Sequence, residues 1–173
     1  KTIPEPMKTP LRSIIPFALI YLLALQTFAR TNDFEIIKGR VVAELMKERV
    51  DDKEVASILA NMKSDGSYPD INYDDLSRTA GFPHRRHTAD LVTLAKAYKT
   101  KGSKYYRSKS LKERIVTSLK FWVDHDFFGD NWHDNQISTP TNLVNLMLII
   151  GHELPEDLVQ KAQPIIGRAH MNA

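Results

Sequence analysis

Helical periodicity is the feature that most limits what this chain can fold into. Apolar residues return every third or fourth position in six successive stretches, and no two stretches alternate as paired strands do. Phe34, Ile37, Val41 and Leu45 mark a first helix ending near Arg49. Asp51 and Asp52 are placed to cap a second, with Val55, Ile58, Leu59 and Met62 on its inner face. A third runs from about His87 to Lys99 on Leu91, Leu94, Ala95 and Tyr98. Ser110 and Glu113 have capping-box spacing, which predicts the start of a fourth there, on Ile115, Leu119 and Trp122. Thr139-Pro140 reads as an N-cap with proline at the first helical position. That fifth helix carries Leu143, Leu146, Met147 and Ile150, and Gly151 ends it. Pro155 opens a sixth with Leu158, Ala162 and Ile165 inside, which Pro164 is expected to break or bend.

Two connections are long and polar: one from Ser64 to about Pro83, the other from Phe127 to Ser138. Long ordered loops are often functional. The expected fold is all-α: antiparallel helical hairpins joined alternately by short and long loops, as in a partial α/α toroid.

The first residues read as an address. Met7-Lys8-Thr9-Pro10-Leu11-Arg12 is a basic start, Ile14 to Leu25 is apolar apart from Pro16, and Thr27-Phe28-Ala29 supplies small residues for cleavage. That is the plan of a secretory signal peptide. The run is too short to span a bilayer, which takes about 20 apolar residues. Residues 1–29 are therefore expected to be a leader with its signal from Met7, and 30–173 the truncated N-terminal part of an exported protein. No stable membrane insertion is expected once the signal is removed. The absence of cysteine removes disulfides, thiolate metal sites and thiol nucleophiles. The net charge of +3 drops to +1 once Lys1, Lys8, Arg12 and Glu5 of the leader are set aside, so basicity gives little reason to expect a polyanion.

The densest chemistry lies in the second loop, Asn131-Trp132-His133-Asp134-Asn135-Gln136-Ile137-Ser138-Thr139-Pro140. A Trp face stacks on a pyranose ring, and amides donate and accept at once, which suits hydroxyls and carboxylates. The candidate substrate-binding residues are Asn131, Trp132, His133, Asn135 and Gln136. The plainer reading packs Trp132 inward and leaves Asn131 or Asn135 to hold a turn. The stretch resembles the Asn-Trp-Trp-x-x-Glu-Ile-x-x-Pro signature of polysaccharide lyase family 8. Asp65-Gly66-Ser67-Tyr68 is similar to an early loop of the same family, and the helix pattern between the two agrees in order and spacing.

The resemblance implies an α/α-toroid N-terminal domain followed by β-sandwich domains, and eliminative cleavage of uronate-containing polysaccharides such as chondroitin or hyaluronan. It implies an Asn and an Arg on the uronate carboxylate and a Tyr with a His for proton transfer, without a cofactor. Those groups lie beyond the signature, so no catalytic position is assigned in this chain. His133 stands where the family often has a second Trp, and Gln136 where it often has Glu. The first change exchanges a stacking platform for a ring that can also bond an anion when protonated. The second removes a negative charge.

His84-Arg85-Arg86-His87 either grips an acidic glycan or is a solvated stretch with Arg paired to Asp74 or Asp75. Lys99 to Lys112 carries a basic run that reads as a solvated linker. His125-Asp126 and His133-Asp134 lack the spacing of metal ligands, so no metal site is expected, and the resemblance implies no cofactor. The expected partner is an acidic polysaccharide. A noncatalytic glycan-binding domain is the alternative, and the leader argues against a nucleic-acid binder.

Overall fold

The computed structural model describes residues 33–79 and 81–169, so the leader with its signal lies outside the described residues. The described residues fall into two units that divide between Val41 and Val42. Six α-helices lie among the described residues: α1 (33–45), α2 (Asp52–Asn61), α3 (Gly81–Lys99), α4 (Lys109–His125), α5 (Thr139–Ile150) and α6 (Glu156–Ile166). Helix α1 crosses the boundary between the units: Leu45, in the second, packs on that unit's core, and Phe34, Ile37 and Val41, in the first, are exposed.

In the second unit α3 is the centre, packed against α2, α4 and α5, while α6 lies against α4 and α5. The core is built from the stripes the spacing picks out: Val55 and Ile58; Leu91, Leu94 and Ala95; Ile115, Leu119 and Trp122; Leu143, Leu146 and Ile150; Leu158, Ala162 and Ile165. Burying such side chains contributes roughly 1.5–3 kcal/mol each against exposure.

The helix ends differ from expectation in instructive ways. Helix α3 begins at Gly81, over a turn before His87, because Pro83 lies in the first turn, where backbone N–H groups have no helical partner to lose. Helix α4 is capped by Ser108, not Ser110: the Ser108 hydroxyl accepts from the Leu111 N–H at 3.2 Å. Arg107, at φ 51°, turns the chain immediately before it. Replacing Ser108 with Ala is expected to cost about 1 kcal/mol in urea unfolding, and Ser110→Ala almost nothing. Helix α6 runs through Pro164 to Ile166, so the predicted break does not occur.

The largest correction concerns the second loop. It is irregular only to Asn131; Trp132 and His133 are already helical, and Asp134–Ser138 is a π-helical turn leading directly into α5. Thr139 is accordingly not an N-cap: it has helical dihedrals, and its N–H reaches back five residues to the Asp134 carbonyl.

Candidate functional site

The two long connections meet. The Asp130 N–H bonds the Leu76 carbonyl at 2.8 Å, and the Asn131 side-chain amide donates to the Arg78 carbonyl at 3.2 Å. Gly129 lies so close to the first loop that a Cβ there would sit 2.7 Å from the Leu76 oxygen. Together the loops form one surface above the entry to α5.

The Asp65-Gly66-Ser67-Tyr68 loop is anchored by a relay of hydrogen bonds into the core. The Tyr68 N–H bonds the Tyr73 oxygen at 3.2 Å, and the Tyr73 hydroxyl lies 2.7 Å from His87 Nδ1. His87 Nε2 lies 3.0 Å from the Ser118 hydroxyl, which donates to the Gly66 carbonyl at 2.9 Å. Because the Ser118 proton is committed to Gly66, the hydroxyl oxygen accepts from His87 Nε2–H, and Nδ1 accepts from Tyr73. Burial pushes His87 down to about 3, so the ring is neutral at ordinary pH. Rings of Tyr73, His84, Phe121, His125 and Phe127 pack around this relay, some stacked and some edge-on or tilted.

The π-turn sorts the candidate residues between two faces. Trp132 is 57% exposed, with its ring centroid 5.7 Å from that of His133. Gln136 is half-buried. Asn135 faces inward: its side chain clasps Gly129, accepting from the N–H at 3.2 Å and donating to the carbonyl at 2.7 Å. Asn131 caps the turn by accepting from the His133 N–H at 3.1 Å. The expected residues thus lie together in sequence and space, with Trp132 and His133 outward and the two Asn amides bonded to backbone.

Beneath them is a contact that spacing does not reveal. Buried Asp134 Oδ1 receives Arg85 Nε at 2.8 Å and Nη2 at 2.6 Å. Arg85 Nη2 is also 3.5 Å from His133 Nδ1, and the Ser138 hydroxyl lies 3.0 Å from the same nitrogen. An arginine only donates, so toward Arg85 the His133 Nδ1 can serve only as an acceptor. Arg85 therefore ties α3 to the π-turn, and Arg86 pairs with Asp70 at 2.8 Å. Neither arginine uses the sequence-suggested partners Asp74 and Asp75. His84 and His87, predicted as part of a glycan grip or a solvated stretch, are both buried. The Lys99–Lys112 run is engaged at its ends: Lys99 Nζ reaches Glu153 at 2.9 Å and Lys112 Nζ lies 3.9 Å from the same carboxylate.

Helical hairpins around one core, with a Trp-bearing turn opening a helix, define an all-α domain with one exposed aromatic site. The model of the polysaccharide lyase family 8 N-terminal alpha-helical domain matches residues 37–171, and the chain belongs to that family. It is 33% identical over 159 residues to chondroitinase-AC of Pedobacter heparinus, covering 90% of this chain and 23% of that protein. It is 35% identical over 80 residues to hyaluronate lyase HylB of Enterococcus faecalis, covering 39% of this chain and 8% of that one. A solved chondroitinase AC lyase, studied in oligosaccharide complexes, superposes with a TM-score of 0.70 at 32% identity over 78% of this chain and 20% of that one. The chain therefore spans about a quarter or less of the length of these relatives. The fold is all-α, a partial α/α toroid.

Proposed function

We propose that this chain is the N-terminal helical part of an exported lyase that cleaves uronate-containing polysaccharide, chondroitin- or hyaluronan-like, by β-elimination. The chain supplies a surface that receives the glycan, and the groups that do the chemistry lie in sequence beyond it. The observation that carries this reading is the exposed Trp132 beside the half-buried His133, held on a π-turn that is fixed from below by Arg85 and Asp134. A large ring is left facing solvent although the turn beneath it is rigidly bonded, which is the arrangement a stacking platform needs. Trp132 stacks on a sugar ring, the His133 ring and the Gln136 amide bond its polar groups, and Asn131 and Asn135 hold the loop. The similarity to lyases named for chondroitin and hyaluronate supports an acidic polysaccharide as substrate. No helix among the described residues is long and apolar enough to cross a membrane, and the leader supports export.

Titrating chondroitin oligosaccharides into the protein tests the platform. Trp132→Ala is expected to weaken binding roughly tenfold, equivalent to about 1.4 kcal/mol, with the unfolding midpoint unchanged because the ring is exposed. Wild-type affinity in that variant removes the platform. Release of unsaturated uronate by the product of the intact gene tests the chemistry. Binding with no such release from any acidic polysaccharide makes the chain part of a noncatalytic glycan-binding protein.

A further inference from the structure

Two buried polar atoms beneath the Trp132 turn have no protein partner: the Trp122 indole Nε1–H on α4, and the second carboxylate oxygen of Asp134, Oδ2. Trp122 is 1% exposed and Asp134 is 7% exposed. Both residues line the same cavity, which is walled also by His84, Phe127, Asn135 and Thr139 and has a volume of about 10 Å³. Two of the neighbouring polar groups are committed elsewhere. His84 Nε2 lies 3.0 Å from the Asn72 carbonyl, and the Asn135 amide is closed on Gly129.

The occupant of this cavity is fixed by three requirements. It must accept a hydrogen bond, because an indole N–H only donates. It must donate one, because an ionised carboxylate only accepts. It must also be about as small as one water, given the volume. A cation fails the first requirement and an anion the second, while an apolar filling leaves both groups unpaired. We infer that the cavity is a binding site for one structural water, which accepts from Trp122 Nε1–H and donates to Asp134 Oδ2.

The water completes a relay from the core to the surface. Trp122 is fixed by packing, the water fixes Asp134, and Asp134 holds Arg85, which reaches His133. Asp134 is on this view a positioning residue, seated on its second oxygen as well as its first. The inference concerns the interior and stands whether or not the surface above it binds a glycan.

The chain contains two tryptophans, Trp122 and Trp132, so their indole protons are separable by NMR in the wild-type protein. The Trp122 proton is expected to show a direct cross-peak to a long-lived water and to exchange with solvent at least about a hundredfold more slowly than that of exposed Trp132. A crystal structure that resolves waters is expected to show one within hydrogen-bonding distance, about 2.7–3.2 Å, of both atoms. A dry cavity, or Trp122 Nε1 bonded directly to a protein oxygen, overturns the inference. Trp122→Phe keeps a ring and deletes the donor. The water is expected to be lost from its crystal structure, and an unmoved water there shows that the indole does not hold it. Should that variant not fold, the two wild-type measurements decide the matter alone.

Discussion

Gly66→Ala is expected to destabilise the protein by roughly 3–5 kcal/mol, lowering the thermal midpoint by about 10 °C or more. Two costs combine. Gly66 has φ +90°, a conformation that L residues enter only at an expense of about 1–2 kcal/mol. A Cβ there would also lie 2.6 Å from Ser118 Cα and 2.7 Å from Ser118 N and the Thr117 carbonyl carbon. These are backbone atoms of α4, which no rotamer change can move aside, and forcing methylenes into packed structure costs typically about 1–3 kcal/mol. Retreat of the loop would break the Ser118 bond to the Gly66 carbonyl and with it the end of the His87 relay. Gly102→Ala is the control, since nothing lies within 4 Å of its added methyl. It is expected to stay within about 0.5 kcal/mol of wild type in the same thermal or urea melts. Equal stability of the two variants would show that the loop is not seated on α4 as described.

The second large effect is a dependence on pH carried by His87. Its folded pKa is about 3, depressed by burial from 6.5. Above pH 6.5 the ring is neutral in folded and unfolded chains alike, and its contribution is fully present. As pH falls below 6.5 the unfolded chain takes up a proton that the folded chain refuses. Stability then declines by up to about 1.4 kcal/mol per pH unit until the folded pKa is reached near 3. The accumulated loss is of the order of 4–5 kcal/mol. Asp90 works in the opposite direction. Burial raises it to about 6 from 3.8, so below pH 6 the folded state gains from protonating it, and the gain is complete below 3.8. The two slopes offset each other between these values in the wild-type protein. Comparison with His87→Gln separates them, because Asp90 is common to both. The wild-type advantage over this variant is expected to shrink steadily as the pH of urea unfolding is lowered from 7.5 to 4. A constant difference would mean that His87 is not held neutral in the fold.

Spacing alone was enough to find the core because long amphipathic helices leave strong periodic signals. The stripes of α2, α3, α4, α5 and α6 are buried where the apolar pattern places them, apart from Leu59 and Met147, which are half-buried at the core's edge. The ends were harder to place, because caps depend on dihedrals that composition does not reveal. Ser108 and Ser110 are both plausible caps, and the left-handed Arg107 decides between them. The site was half legible. A tract of Asn, Trp, His and Gln marks a chemically unusual place, and the Trp there is exposed. That Asp134–Ser138 is helical was hidden, since five mostly polar residues show no 3.6-residue rhythm and a π-turn does not follow one. The Arg85–Asp134 pair was hidden for a different reason: its members are 49 residues apart and meet only after α3 and α5 have packed.

The π-turn sets a phase relation along a nearly continuous helix. Each α-helical residue advances the side chain by about 100° around the axis, and a π-turn accommodates an extra residue without that advance being passed on. The outward azimuth of Trp132 and the inward azimuth of the Leu143–Leu146 stripe are therefore set independently on either side of Asp134–Ser138. Deleting one residue inside the turn would restore a regular helix and leave both azimuths where they are. Closing the turn to α-helix at its present length would instead swing the segment before it by about 100°, carrying the indole off its bearing. The hydrogen-bond pattern of these five positions acts as an angular setting for the ring, separable from the composition of the ring's surroundings.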